Sequence, residues 1–177
     1  MKILPCIAFL LLTSSLWAQT SATNTLNLHL PTVALLDIAP NGGSITLSLN
    51  TPNEAGSPLT GTNDSSKWLN LTSAVASGSS RYITAHLSAG NIPAGLGLRF
   101  TTTAYSGNGA GALGSGGGSI LLNSLPQTIV SGIGGAYTGD GTGNGYNLNY
   151  ALEIQNYAQL QHDLSTVITV TFTFVDL

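Results

Sequence analysis

Charge is the scarcest ingredient of this sequence. Four Lys and Arg stand against seven Asp and Glu in 177 residues, a formal net charge of −3. Apart from Lys2, the cations are Lys67, Arg81 and Arg99, too dispersed to form the basic patch that a nucleic-acid or anionic membrane surface requires. Cysteine is reduced to Cys6. The three histidines, His29, His86 and His162, lie far apart and outside any His/Cys/Asp spacing that would hold zinc, so they are expected to be solvent-facing and no metal or cofactor is expected. A Gly-x-Ser-x-Gly elbow does not occur. Asp37, Asp140, Glu153 and Asp163 are geometrically free to pair, but seven scattered acids single out no catalytic couple. No catalytic residue is assigned, and no enzyme is expected.

Long apolar runs are equally rare. One exists, Ile3 to Leu16, between a basic start at Met1-Lys2 and a small-residue junction at Trp17-Ala18-Gln19. That layout predicts a secretory signal peptide over residues 1–18, leaving one domain over 19–177. Its removal takes Cys6 and Lys2 with it. The remainder then has no cysteine and a net charge of −4, from three cations and seven acids. No later stretch reaches spanning length, so the mature chain is expected to lack a transmembrane segment. Its expected address is secreted or cell-surface, with the periplasm as the other possibility.

What is abundant is alternation. At the C-terminal end Ile168, Val170, Phe172 and Phe174 interleave with Thr169, Thr171 and Thr173, one apolar face backed by hydroxyls. Leu26, Leu28 and Leu30 alternate near the other end, followed by Val33 to Ile38 after Pro31. The same period recurs at Ile45–Leu49, Ile83–Leu87, Leu96–Phe100 and Leu148–Ile154, with Trp68, Leu69 and Leu71 as a shorter strand. Thr51 to Ser66 reads as a loop, and residues 155–164 as a turn or one short helical segment. Eight or nine strands at regular spacing predict an all-β, antiparallel two-sheet immunoglobulin-like sandwich with long Gly-rich loops. A closed barrel is the alternative architecture.

Two glycine-rich stretches imitate ligand loops. Gly109-Ala-Gly111-Ala-Leu-Gly114 has dinucleotide-loop spacing, but Ser115-Gly-Gly-Gly118 follows where a helix must start, so a turning surface loop is expected. Asp140-Gly-Thr-Gly-Asn-Gly145 places oxygen side chains at the first, third and fifth places, as calcium loops do. Ala151 stands where the bidentate glutamate belongs, so an inter-strand loop is the expectation over a weak calcium site. Asn63-Asp-Ser65 and Asn70-Leu-Thr72 match the N-glycosylation pattern. Tyr137 and Tyr146 flank the second glycine-rich loop and are expected at the surface as glycan contacts; Trp68 and Tyr150 fall within strand patterns.

The alternating segment Leu26 to Leu30 and the closing Val167 to Phe174 strand, in a cysteine-free mature chain, resemble bacterial fimbrial and related surface β-sandwich subunits. The resemblance implies that an N-terminal strand of one subunit completes the sandwich of the next. Here Leu26, Leu28 and Leu30 would be donated, and Ile168, Val170, Phe172 and Phe174 would border the acceptor groove. The expected function is a structural or adhesive surface subunit whose partners are identical or related subunits. A glycan-binding module is the alternative.

Overall fold

The computed structural model describes residues 21–162 and 165–177; the expected signal peptide lies outside them. The described residues form twelve strands and one short 3-10 turn at Tyr157–Gln159. In order the strands are β1 (Val33–Ala39), β2 (Leu49–Asn50), β3 (Thr60–Gly61), β4 (Asn63–Ala74), β5 (Arg81–Ala89) and β6 (Leu96–Thr102). They continue with β7 (Ala110–Gly111), β8 (Ser119–Leu121), β9 (Gln127–Ile133), β10 (Ala136–Tyr137), β11 (Tyr146–Ile154) and β12 (Thr169–Asp176).

Every pairing is antiparallel. One sheet runs β7-β10-β4-β11-β6-β8, with β1 also paired to β4, and a second runs β12-β5-β9. The two pack against each other as a β-sandwich, and β2 and β3 form a separate ribbon. The long strand β4 explains how one sheet holds so many short pieces. Its C-terminal half pairs β1 on one side, through Val33↔Ala74 to Ala39↔Trp68. On its other side β11 takes the first half and β10 the end.

Alternation decides which face is buried. Leu69 and Leu71 of β4, Ile83 and Ala85 of β5, Leu98 and Phe100 of β6 and Leu148 and Tyr150 of β11 all enter one core. Phe100 sits at its centre, 5.0 Å from Tyr150 and 5.7 Å from Phe172 between ring centroids, both tilted, a geometry that the ring quadrupole favours. Ile168, Val170, Phe172 and Phe174 pack against this core as partly buried residues.

Several expectations are corrected. The stretch 51–66 is not one loop, since β3 and the start of β4 lie inside it. The residues Asn63–Lys67 that open β4 are polar and partly exposed, so they carry no apolar period. Ile45 and Leu47 reach the core without belonging to a strand. Residues 21–32 are in no strand, and Leu26, Leu28 and Leu30 are 72, 83 and 84% exposed, against the expectation of a paired first strand. His86 is half-buried rather than solvent-facing. No helix of the described residues is long and apolar enough to cross a membrane.

Candidate functional site

Two surfaces carry the residues singled out by the sequence. The first is the edge formed by β12. In the three-stranded sheet β12 is terminal: it pairs β5 from Thr169↔Ala89 to Asp176↔Arg81 and has no second strand among the described residues. Val170, Phe172 and Phe174 present apolar side chains that reach the core yet remain partly exposed. An unpaired edge offers a row of free N–H and C=O groups, and natural sheets usually blunt it with charge, proline or a covering segment. Within β12, Thr171 and Thr173 separate the apolar residues, and the first charge met is Asp176. The donor candidates Leu26, Leu28 and Leu30 have the same two-residue spacing and, as described above, stand unpaired.

The second surface is the outer face of the larger sheet where β10 and β1 flank β4. Cross-strand partners share a face, and the register puts Ala110, Tyr137, Thr72 and Leu35 in one row across β7, β10, β4 and β1. Asp37 and Asn70 form the next row. Tyr137 is 51% exposed and Leu35 62%. An open hollow of about 370 Å³ lies among Leu35, Asp37, Thr72, Tyr137 and Asp140. A second, of about 400 Å³, lies over Ala110, Gly111 and Gly135 and shares Tyr137 and Thr72 with the first.

The loop that brings Asp140 to this face is tied down by amides. Asn70 is buried and donates from Nδ2 to the Asn144 carbonyl at 2.6 Å, while its Oδ1 accepts from the Gly141 N–H at 2.9 Å. Asn144 donates to the Asp140 carbonyl at 2.7 Å, and its own side-chain oxygen accepts from the Asn108 N–H at 3.1 Å. The fifth-place oxygen of the calcium-like spacing is thus spent on a neighbouring backbone amide. Among the described residues no group of three or more His, Cys, Asp or Glu side chains is placed to hold a metal ion. The Asn70 amide, engaged at both ends, is also unavailable as a glycosylation acceptor in the folded chain.

Thr138, fully buried, stitches β10 to β4: its hydroxyl accepts from the Leu71 N–H at 2.9 Å, and its N–H donates to the Leu71 carbonyl at 3.0 Å. The dinucleotide-like glycines serve the same neighbourhood. A Cβ on Gly109 would stand 2.0 Å from the Tyr137 carbonyl oxygen, and one on Gly111 2.2 Å from that of Gly135. They are glycines because two backbones touch there, not because a phosphate does.

Tyr146 corrects the second glycan expectation. It is fully buried, donates its hydroxyl to the Leu113 carbonyl and meets Tyr105 edge-on at 6.2 Å. Burial pushes its phenol up to about 12, with Tyr105 adding to the shift. Of the acids, Asp37 and Asp140 share the first hollow. Glu153 is paired with Arg99, whose hydrogen bond holds its carboxyl below the ordinary value. Asp163 lies outside the described residues. Sequence reasoning missed Asp37, Thr72 and Leu35 as companions of Tyr137; their spacing to it depends on strand register, which no local pattern encodes. Neither family models, curated proteins nor solved structures provide a match to this chain.

Proposed function

We propose that this protein is a structural or adhesive surface subunit that assembles by β-strand addition, residues 24–30 of one copy joining the β12 edge of the next. The observation that carries this reading is the set of three leucines at alternate positions, Leu26, Leu28 and Leu30, all more than 70% exposed in a segment belonging to no strand. Each leucine left in water forgoes roughly 2 kcal/mol of burial, and a period of two is useful only to a sheet. The β12 edge, unpaired on one side among the described residues and bearing partly exposed Val170, Phe172 and Phe174, would be the complementary half. Main-chain hydrogen bonds would give the affinity, and the leucines, seated in alternate pockets, the register.

A peptide spanning residues 21–32, added in excess to the full chain carrying Leu26→Asp and Leu28→Asp, tests this directly. The peptide is expected to raise the melting temperature and to slow hydrogen exchange of the β12 amides. The doubly substituted chain alone should stay monomeric where the wild-type chain forms oligomers. Wild-type chain that remains monomeric at every concentration, with β12 amides indifferent to the peptide, would refute the assembly reading.

A further inference from the structure

The row Ala110–Tyr137–Thr72–Leu35 and its two open hollows form a surface that the assembling edge does not use. Tyr137 stands between the hollows as a shared wall, its ring half exposed. On one side it faces Leu35 and the carboxylates of Asp37 and Asp140. On the other it faces a floor of Ala110, Gly111 and Gly135, where at Gly111 a side chain is sterically excluded.

The chemistry narrows the ligand. The charged groups of the lining are both acids, so an anionic ligand such as a phosphate or a uronic acid is repelled. The hollows are open, so an alkyl chain would stay wet and gain little. A peptide added as a strand needs a free edge; β10 has none, being paired with β4 and with β7, and the open edge of β1, which pairs only with β4, would place such a peptide two strands away from Tyr137. What the face offers is a ring for an apolar C–H surface, flat backbone beside it, and acceptors for hydroxyl protons. A carboxylate accepting a hydroxyl proton makes a charge-assisted bond, shorter and stronger than a neutral one.

The Asp37 carboxylate is held in place, as is the backbone that carries Asp140. With its amide nitrogen turned towards the carboxylate, Asn41 donates to Asp37 Oδ1 at 3.0 Å and to the Ile38 carbonyl at 2.9 Å. Asp140 is carried on the loop that Asn70 and Asn144 clamp from within. A site held by its own hydrogen bonds loses little conformational freedom when it binds.

We infer that this face binds a neutral oligosaccharide of at least two rings laid across Tyr137, with Asp37 and Asp140 accepting hydroxyl protons from the ring on their side. The inference deepens the adhesive part of the proposed function and does not need strand addition. The two can therefore fail separately.

The test uses the full chain with the Leu26→Asp and Leu28→Asp substitutions, so that assembly cannot multiply weak contacts. Calorimetric titration against cellobiose, maltose, lactose and N,N′-diacetylchitobiose, with the four monosaccharide units as controls, reads the affinity. At least one disaccharide is expected to bind tenfold or more tightly than its own monosaccharide. Tyr137→Ala should weaken that binding at least tenfold, Tyr137→Phe should hold it within about threefold, and Asp140→Asn should weaken it severalfold. Tyr137 and Asp140 are exposed, so these variants are expected to melt with the parent chain. Absence of binding to every disaccharide at millimolar concentration would overturn the saccharide site and leave the strand-addition reading standing. Binding that survives Tyr137→Ala would overturn the site alone. Binding of a lysine-rich peptide instead, lost at high salt, would show the two carboxylates to be a cation site and sink the saccharide assignment.

Discussion

Two tyrosines beside one loop have opposite fates, and parity accounts for both. Tyr146 is in phase with Leu148 and Tyr150, so β11 turns it into the core, whereas Tyr137 lies in the row of Thr72 and Leu35 and faces out. Extending the Leu148–Ile154 alternation by one more step would have buried Tyr146 from sequence alone. Burial gives Tyr146 a pH signature. Desolvation favours the neutral phenol, so its folded-state value lies above the ordinary 10.0, at about 12. A group raised in this way contributes stability that is complete below pH 10.0 and drains away as the pH climbs from 10.0 to about 12. Burial raises the Tyr150 phenol as well, so thermal melts from pH 9 to pH 12 should show a loss in that window that Tyr146→Phe reduces without abolishing, at the cost of the bond to the Leu113 carbonyl. A loss of the same slope in Tyr146→Phe would assign the alkaline limb to other groups.

At the scale of elements, the well-alternating strands β5, β6, β11 and β12 were legible, because each hides one face and shows the other. The glycine-rich segments were not, because what holds them is backbone meeting backbone. The bridge between Ser106 and Gly145, β7 on β10, and the Ser115–Ser131 bridge leave no periodic trace in side chains. The segment Leu26–Leu30 marks a different limit: its alternation states which residues want cover, and is silent on which strand provides it. The backbone account of the glycines makes a paired prediction. Gly109→Ala forces a Cβ to within 2.0 Å of the Tyr137 carbonyl oxygen, so β7 and β10 must part, at a cost of about 1–3 kcal/mol. Gly118 has open space around its missing Cβ, and alanine there should be neutral or stabilise by about 0.5 kcal/mol through the unfolded chain. Urea unfolding of the two variants separates them, and equal effects would mean that loop glycines matter here only for flexibility.

For the whole molecule, the question is what fastens one sheet to the other where charge is so scarce. Apolar contact supplies most of it, but one cation is placed where both sheets meet. Arg81 belongs to β5 in the smaller sheet, and its side chain is only 4% exposed. Its Nη1 donates to the Val33 carbonyl of β1, to Ser73 Oγ at 3.2 Å and to the Ala74 carbonyl at 3.4 Å, all in the larger sheet. Its Nε donates to Asp176 of β12, and the guanidinium lies 5.4 Å from the centre of the Phe174 ring. One planar fork thus reaches β1, β4 and β12 from β5, a reach that a lysine ammonium does not reproduce. The partner carboxylate is 78% exposed, so water can replace much of what Arg81 gives it. The Ser73 hydroxyl is buried and the Val33 and Ala74 carbonyls are partly so, and an unsatisfied buried acceptor costs about 1–3 kcal/mol. Arg81→Ala is therefore expected to destabilise the fold by about 3 kcal/mol or more, against about 1 kcal/mol or less for Asp176→Asn. Denaturant midpoints at constant slope measure both. Equal losses would place the fastening in the ion pair within the smaller sheet; the expected inequality places it across the sandwich, at the start of β1.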